Sequence, residues 1–317
     1  MKHETFPKPI IVTSKCFEFD ACRYNGQMIP NNFVQALEPF VQFLPVCPEV
    51  EIGLGVPRDP IRIICKKGAR KLVQPSSDRD ITGLMNTFSD KYLGALGEVD
   101  GFILKNRSPS CAIKDTKLYP DAENQVATGK GPGLFAQKVL EKFPGAAIED
   151  EGRLRNPAIR EHYLTRIFTL ARWRQTRKKG TMKALIEFQS YNKFVLMSYN
   201  QKEMKELGRI VANKERSPLQ ETLDLYDTHL RHALSKTPRR NSNINVLMHG
   251  LGYFSDVLTA KEKSFFLRLL DKYKNEKITL GALQSVMESW IIKYDESYLA
   301  GQTYFHPYPV ELVEVDS

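Results

Sequence analysis

Residues 9–26, PIIVTSKCFEFDACRYNG, decide how this chain is read. PIIVTS (9–14) is a short apolar and β-branched run without polar alternation, the pattern of a strand buried on both faces. A polar loop with two cysteines follows it directly. FLPV (43–46), RIIC (62–65), GFILK (101–105) and AAIED (146–150) repeat the strand pattern. Between them, residues 30–42, 78–96 and 131–143 have helical spacing, with Ile81, Leu84, Met85, Phe88, Tyr92 and Leu96 on one side of the second. Strands alternating with helices predict an α/β N-terminal domain with a mostly parallel, Rossmann-like sheet covered on both faces.

The pattern changes near EGRLRNP (151–157), and long helical segments follow. Apolar periodicity predicts helices at 157–178, 181–199, 202–213, 219–234, 243–257, 260–274 and 279–294, before a Pro-rich tail that cannot continue a helix. The expected organisation is an α/β domain over residues 1–152 and an all-α domain over 153–317. A chain of 317 residues is long enough for two cores. With 42% hydrophobic and 26% charged residues it has the balance of a globular protein. The longest stretch free of Lys, Arg, Asp and Glu, Asn241–Ser255, is too short and too polar to span a membrane. MKHETFPKPI has no apolar signal-peptide core, so a cytoplasmic location is expected, with no membrane association.

Charge is unevenly divided. The chain has 46 basic and 37 acidic residues, a net of +9. Residues 1–152 hold 19 of each, whereas 153–216 hold 16 basic and 5 acidic, a net of +11. A neutral domain joined to a basic module suggests a polyanionic partner; a solvated helical surface fits the charge equally well. No segment suggests a protein partner.

All five cysteines lie in the first 111 residues, and without a secretory signal they argue against a disulfide framework. No CxxC pair is present, so spacing alone says little about metal. Position says more: Cys16, Cys47 and Cys111 each follow a different predicted strand. Ligands of open parallel sheets bind outside the carboxyl ends of the strands, so three thiols there are able to converge. Cys65 ends a β-like run and reads as structural. Cys22 shares the loop of Cys16, and its role stays open between ligand and packing.

The set SKC…CRYNG, CPEVEIGLGVPRDP, LKNRSPSC and GKGPGLFA resembles the thiouracil desulfidase family over residues 9–150. SKC stands where SAC is more usual, and the first loop is less apolar than in most relatives. NVLMHGLGYF (245–254) and QTYFHPYP (302–309) resemble a helical domain often fused to it. The combination resembles bacterial desulfidases that act on 4-thiouridine in tRNA. The resemblance implies a 4Fe–4S cluster held by Cys16, Cys47 and Cys111, with one iron left open. Thiolates are the usual ligands of such clusters. An open iron is a Lewis acid with affinity for soft sulfur. The chemistry expected is water attack on carbon 4 of the pyrimidine, with sulfur released as hydrosulfide and no net electron transfer. Glu49, two residues after Cys47, fits a general base, and Ser108 a hydrogen-bonding or proton-relaying group. Without the resemblance, a loop carboxylate and a turn serine describe them as well.

Other features carry less. GKGPG (129–133) matches neither nucleotide-binding glycine fingerprint, and a tight turn before a helix accounts for it. His229 and His232, one helical turn apart, permit a shared metal but suit a surface pair better; His249 suits packing. In RLRNPAIREHYLTRIFTLARWRQTRKKGTMK (153–183), Leu164, Ile167, Phe168 and Ala171 form a buried stripe. That leaves Arg160, Arg174, Arg177, Lys178 and Lys179 for solvent or RNA phosphate, with Trp173 expected in the core. The expected partner is thiolated tRNA. Two other readings compete: a desulfidase of free thiouracil or thionucleosides, and a non-enzymatic iron–sulfur sensor of nucleic acid. Sulfur insertion by ATP activation lacks its glycine motif.

Overall fold

The computed structural model describes residues 6–66 and 68–313. In chain order the first half forms β1 (Ile10–Ser14), α1 (Asn32–Leu37), β2 (Gln42–Val46), α2 (Pro48–Glu51), β3 (Arg62–Lys66), β4 (Ala69–Gln74) and β5 (Arg79–Asp80). Then come α3 (Thr82–Ala95), β6 (Gly101–Leu104), β7 (Thr116–Tyr119), β8 (Gly129–Gly131), α4 (Leu134–Lys142) and β9 (Ala147–Asp150). β1 is an interior strand of its sheet. Its Ile11, Val12, Thr13 and Ser14 are all buried, as the unbroken apolar run requires. It pairs in parallel with β2 on one side, Ile10 to Gln42 through Ser14 to Val46, and with β6 on the other. The sheet runs β2-β1-β6-β9, and every pairing in it is parallel.

RIIC does not join that sheet. It is β3 of a second, mixed sheet in the order β5-β4-β3-β7-β8. β3 and β4 are antiparallel, with Gly68 at φ +81° in the turn between them, a left-handed conformation that suits glycine. The alternation of strands and helices overlooked this layer because β4, ARKLVQ, and β8, GKG, are short, charged and partly exposed. Two expected helices are shorter than predicted for the same reason. Residues 79–80 form β5 before α3 begins at Thr82, and 129–131 form β8 before α4 begins at Leu134. The expected helix over 30–42 is confined to 32–37. Phe102, Phe135, Met85, Leu72 and Ile63 sit in one apolar cluster fed by both sheets.

The second half is helical, as expected, in α5 (Pro157–Lys179), α6 (Met182–Tyr199), α7 (Gln201–Ala212), α8 (Leu219–Ala233), α9 (Arg240–Gly252), α10 (Ala260–Lys274), α11 (Leu280–Tyr294) and α12 (Ser297–Ala300). Two compact units result. One extends to Ala171 and takes in residues from Glu311, and the other is Arg172–Val310. The division falls inside α5, whereas the composition changes at 152/153. The first half of α5 packs on the α/β unit, where Gly101 leaves room: a Cβ there would lie 2.7 Å from the Ala147 carbonyl oxygen and 3.1 Å from Tyr163 Oη. In the helical unit Trp173 is buried against Tyr226 and Phe188, and its Nε1–H donates to Asp227 at 2.7 Å. Trp173 is a core residue. His249 packs beside Phe194 and Tyr253.

Candidate active site

β2, β1 and β6 are neighbours, and strands about 4.8 Å apart bring the loops at their carboxyl ends to one place. A cavity of about 770 Å³ lies there, and Cys16, Cys22, Cys47 and Cys111 all line it. Cys65 does not; it packs against the apolar cluster from β3. Each loop is held. The Cys16 carbonyl accepts from the Ile29 N–H at 2.8 Å. Cys47 caps α2, its carbonyl accepting from Val50 and Glu51, with Pro48 at the first helical position. The Ser108–Cys111 loop lies against the start of α4. There the N–H groups of Leu134 and Ala136 donate to the Pro109 and Ser110 carbonyls at 3.1 and 3.0 Å. Gly133 permits that approach, since a Cβ would meet the Ser110 carbonyl at 2.5 Å. Of the glycines of GKGPG, Gly133 serves the close-packed turn while Gly129 and Gly131 lie in β8, and two of the first amides of α4 are engaged with the site loop.

The four thiols are buried, Cys22 at 1% exposure and the others at 6–9%. Burial, together with the charges of Glu49 and Cys47, pushes the Cys111 thiol up to about 12. A hydrogen bond to Cys16 pushes Cys22 up to about 11, while one with Cys47 works against it. Cys47 is raised by its hydrogen bond to Cys22, by burial and by the Glu49 charge. Raised thiols such as Cys22, Cys47 and Cys111 are neutral by themselves and ionise on binding a cation. Among the described residues, no group of three or more His, Cys, Asp or Glu side chains is arranged to hold a single metal ion.

Glu49 lies beside the thiols in a network that sequence spacing only half foresaw. Arg58 grips its Oε2 through Nε and Nη2, at 2.9 and 2.5 Å, and also donates to the Cys22 carbonyl at 2.9 Å. Both side chains are nearly buried, 4% and 12% exposed. Oε1 accepts from Ser110 Oγ at 2.5 Å and from Ser108 Oγ at 3.4 Å. The Ser108 oxygen in turn accepts from the Cys111 and Ser110 amides at 3.1 and 3.2 Å. Glu49 and Ser108, expected together, are together. Arg58 and Ser110 were not singled out, although CPEVEIGLGVPRDP and LKNRSPSC contain them. A buried Arg–Glu pair leaves no spacing signature when its partners come from a short helix and a loop. The neutral sequence composition of this half hides another feature: eight Lys or Arg side chains line the cavity against two carboxylates, Glu49 and Asp115. Arg107, Lys117 and Lys130 are exposed at its rim.

The residues expected to meet RNA belong to both units. Arg160 lies in the first unit, donating to the Leu154 and Arg155 carbonyls and standing over Phe33. In the helical unit Arg177 pairs with Asp224 at 2.7 Å, Arg174 is half-buried, and Lys178 and Lys179 are exposed. His229 and His232 both turn Nδ1 to Glu203, at 2.7 and 3.0 Å.

The first unit is thus a parallel α/β unit with a thiol-lined cavity beyond three adjacent strands. A family model described as 2-thiouracil desulfurase matches residues 11–151, and the chain belongs to that family through this domain. Residues 193–309 match a second family, described as a protein of unknown function, DUF1722. The uncharacterized protein YbgA of Escherichia coli (strain K12) is 29% identical over 148 residues, covering 46% of this chain and 88% of the relative. The uncharacterized protein YbbK of Bacillus subtilis (strain 168) is 32% identical over 110 residues, covering 32% and 72%. Among solved structures, the [4Fe-4S]-dependent thiouracil desulfidase TudS is 28% identical over 47% of this chain and 94% of that one, with a TM-score of 0.38. Among the described residues, no helix is long and apolar enough to cross a membrane.

Proposed function

We propose that this chain is an iron–sulfur-dependent, non-redox desulfidase that converts 4-thiouridine in tRNA to uridine, releasing hydrogen sulfide. One observation carries the reading: Cys16, Cys47 and Cys111 come from three adjacent parallel strands into one cavity that also holds the Glu49–Ser108–Ser110 network. The donors fit a 4Fe–4S cluster. Three soft sulfurs line a cavity of about 770 Å³, and thiolates are the usual ligands of such clusters. When bound through those three thiolates, the cluster supplies an open iron, a Lewis acid for soft sulfur. The chain's own residues do the rest. Glu49, oriented by Arg58, takes a proton from water through Oε1 as the new C–O bond forms at carbon 4. Ser110 and Ser108 keep that oxygen aligned and relay the proton toward the departing sulfur. Thiocarbonyl plus water gives carbonyl plus hydrogen sulfide, so no electrons are exchanged.

The basic lining supports a phosphate-bearing substrate, with shape and backbone contacts carrying most of the recognition and the thiobase turned out into the cavity. The experiment is anaerobic: reconstitute the chain with iron and sulfide, add 4-thiouridine-containing tRNA, and follow thiobase absorbance and hydrosulfide together. Loss of absorbance with hydrosulfide release, both abolished in Cys47→Ser, is expected. Turnover of free thiouracil alone would move the function to the small-molecule substrate. A formed cluster with no turnover of either would leave a sensor.

A further inference from the structure

We infer that Tyr24, in the CRYNG stretch on the wall of the cavity, is the surface on which the thiopyrimidine ring of the substrate stacks. The inference rests on the desulfidase reading above and names a substrate-binding residue of that same site. Two aromatic rings line the cavity, Tyr24 and Tyr119. Tyr119 is engaged: the Arg62 guanidinium stands 4.8 Å from its ring centroid and also donates to the Asn124 carbonyl at 3.2 Å and to Gln125 Oε1 at 3.1 Å. Tyr24 is 46% exposed. Among the described residues no second ring lies against it, and the group over it is the Arg23 guanidinium, 5.6 Å from the centroid. A cation over one face leaves the other for a planar partner.

The backbone ties this ring to the chemistry. Residues 23–26 form a tight turn, closed by the Gly26 N–H donating to the Arg23 carbonyl at 2.9 Å. Gly26 has φ +72°, in the left-handed region that suits glycine. The Tyr24 carbonyl accepts from the Arg58 N–H at 2.8 Å. Arg58 is also the residue whose side chain grips Glu49 Oε2 and the Cys22 carbonyl. One residue therefore holds the exposed ring through its backbone and the catalytic carboxylate through its side chain. Hydrogen bonds reach only the edges of a pyrimidine placed at Glu49, whereas an aromatic ring covers a face. Such stacking depends little on what lies beyond the ring, so the same contact serves a free thiobase and a base turned out of an RNA.

The test compares the whole reconstituted chain with Tyr24→Phe, Tyr24→Leu and Tyr24→Ala on free 4-thiouridine and on 4-thiouridine-containing tRNA, with iron per chain as the control for an intact site. All three variants are expected to bind as much iron as the wild type, because each keeps the backbone bond to Arg58. Phenylalanine keeps the wild-type KM on both substrates. Leucine and alanine raise KM on both by about 5–150-fold, the loss of one base–aromatic stack, with kcat little changed. Where free 4-thiouridine binds without turnover, its dissociation constant, read from the thiobase absorbance, takes the place of KM. An alanine variant with the wild-type KM overturns the inference. So does a rise on tRNA with none on free 4-thiouridine, since Tyr24 would then stack a neighbouring base. A leucine variant that matches phenylalanine overturns it as well, because apolar bulk would then suffice. Iron loss in the leucine and alanine variants would make Tyr24 a structural support and overturn it too. A wild type that neither binds nor turns over either substrate overturns the parent reading and this one together.

Discussion

The rim of the cavity and the last turns of α5 are both basic, but they hold their charge differently. Around the cavity, eight cationic side chains line the wall; Lys15, Arg58 and Lys105 are paired with Asp20, Glu49 and Glu151, and Arg107, Lys117 and Lys130 are exposed. At the end of α5, Arg177 is compensated by Asp224 at 2.7 Å and lies 3.9 Å from Asp227, while Lys178 and Lys179 are exposed. Net charge counted along the chain favours the second region by eleven units over residues 153–216. Free charge gathered in space favours the first. A polyanion responds to the local field, which falls off within a Debye length of about 8 Å at physiological salt.

The sharpest way to separate chemistry from charge is to leave both basic regions intact. Glu49→Gln is expected to bind the cluster like the wild type and to lower turnover by about 10²–10⁴-fold, the usual contribution of a positioned general base. Hydrosulfide release from saturating free thiouracil is the measurement, because RNA affinity does not enter it. Undiminished turnover would remove Glu49 from the mechanism and leave its pairing with Arg58 purely structural.

A smaller effect divides the two regions directly. The triple variant Arg107→Ala, Lys117→Ala, Lys130→Ala removes three exposed cations. Arg177→Ala, Lys178→Ala, Lys179→Ala removes two exposed cations and one already paired. Three phosphate contacts change affinity by about 20–40-fold between 50 mM and 200 mM salt, and two by about 7–12-fold. Gel-shift affinities of tRNA over that range should lose those increments in that order, while turnover of free thiobase stays put. Equal losses on tRNA and thiobase would sink an RNA role for either surface.

Sequence carried the elements whose side chains are uniform in kind. β1 is a short apolar and β-branched run, and α5 to α11 are long segments free of strand and turn signals, so their existence was readable to within a few residues. The placement of Cys16, Cys47 and Cys111 after separate strands was readable too, because strand direction determines where the loops go. The second sheet was not, since β4 begins with exposed and half-buried Ala69, Arg70 and Lys71 before its buried Leu72 and Val73, and β8 is only three residues long. Arg58 was hidden for a related reason. It lies between Pro57 and Asp59 in a turn, and only the folded loop brings its guanidinium to Glu49 and to the Cys22 carbonyl. Local pattern reports burial and period, whereas a buried ion pair between a short helix and a loop is a tertiary event.

The histidine pair gives the smallest expected effect and the cleanest sign. His229 and His232 on α8 direct Nδ1 to Glu203 on α7, which is 6% exposed. Burial works to raise that carboxyl, but the hydrogen bonds from the two imidazoles outweigh it and hold it below the usual glutamate value of 4.5. A carboxyl depressed in the folded state stabilises fully above its unfolded value and loses that contribution as pH falls through the folded one. Glu203→Gln, neutral at every pH and able to accept through one oxygen, is therefore expected to lower urea stability by about 1 kcal/mol at pH 7. The gap should narrow as pH falls below 4.5, because the wild-type carboxyl is then losing its own charge. A gap that stayed constant down to pH 3 would mean that the glutamate acts through packing alone. A midpoint that a chelator shifted in the wild type but not in the variant would restore the metal reading of the pair.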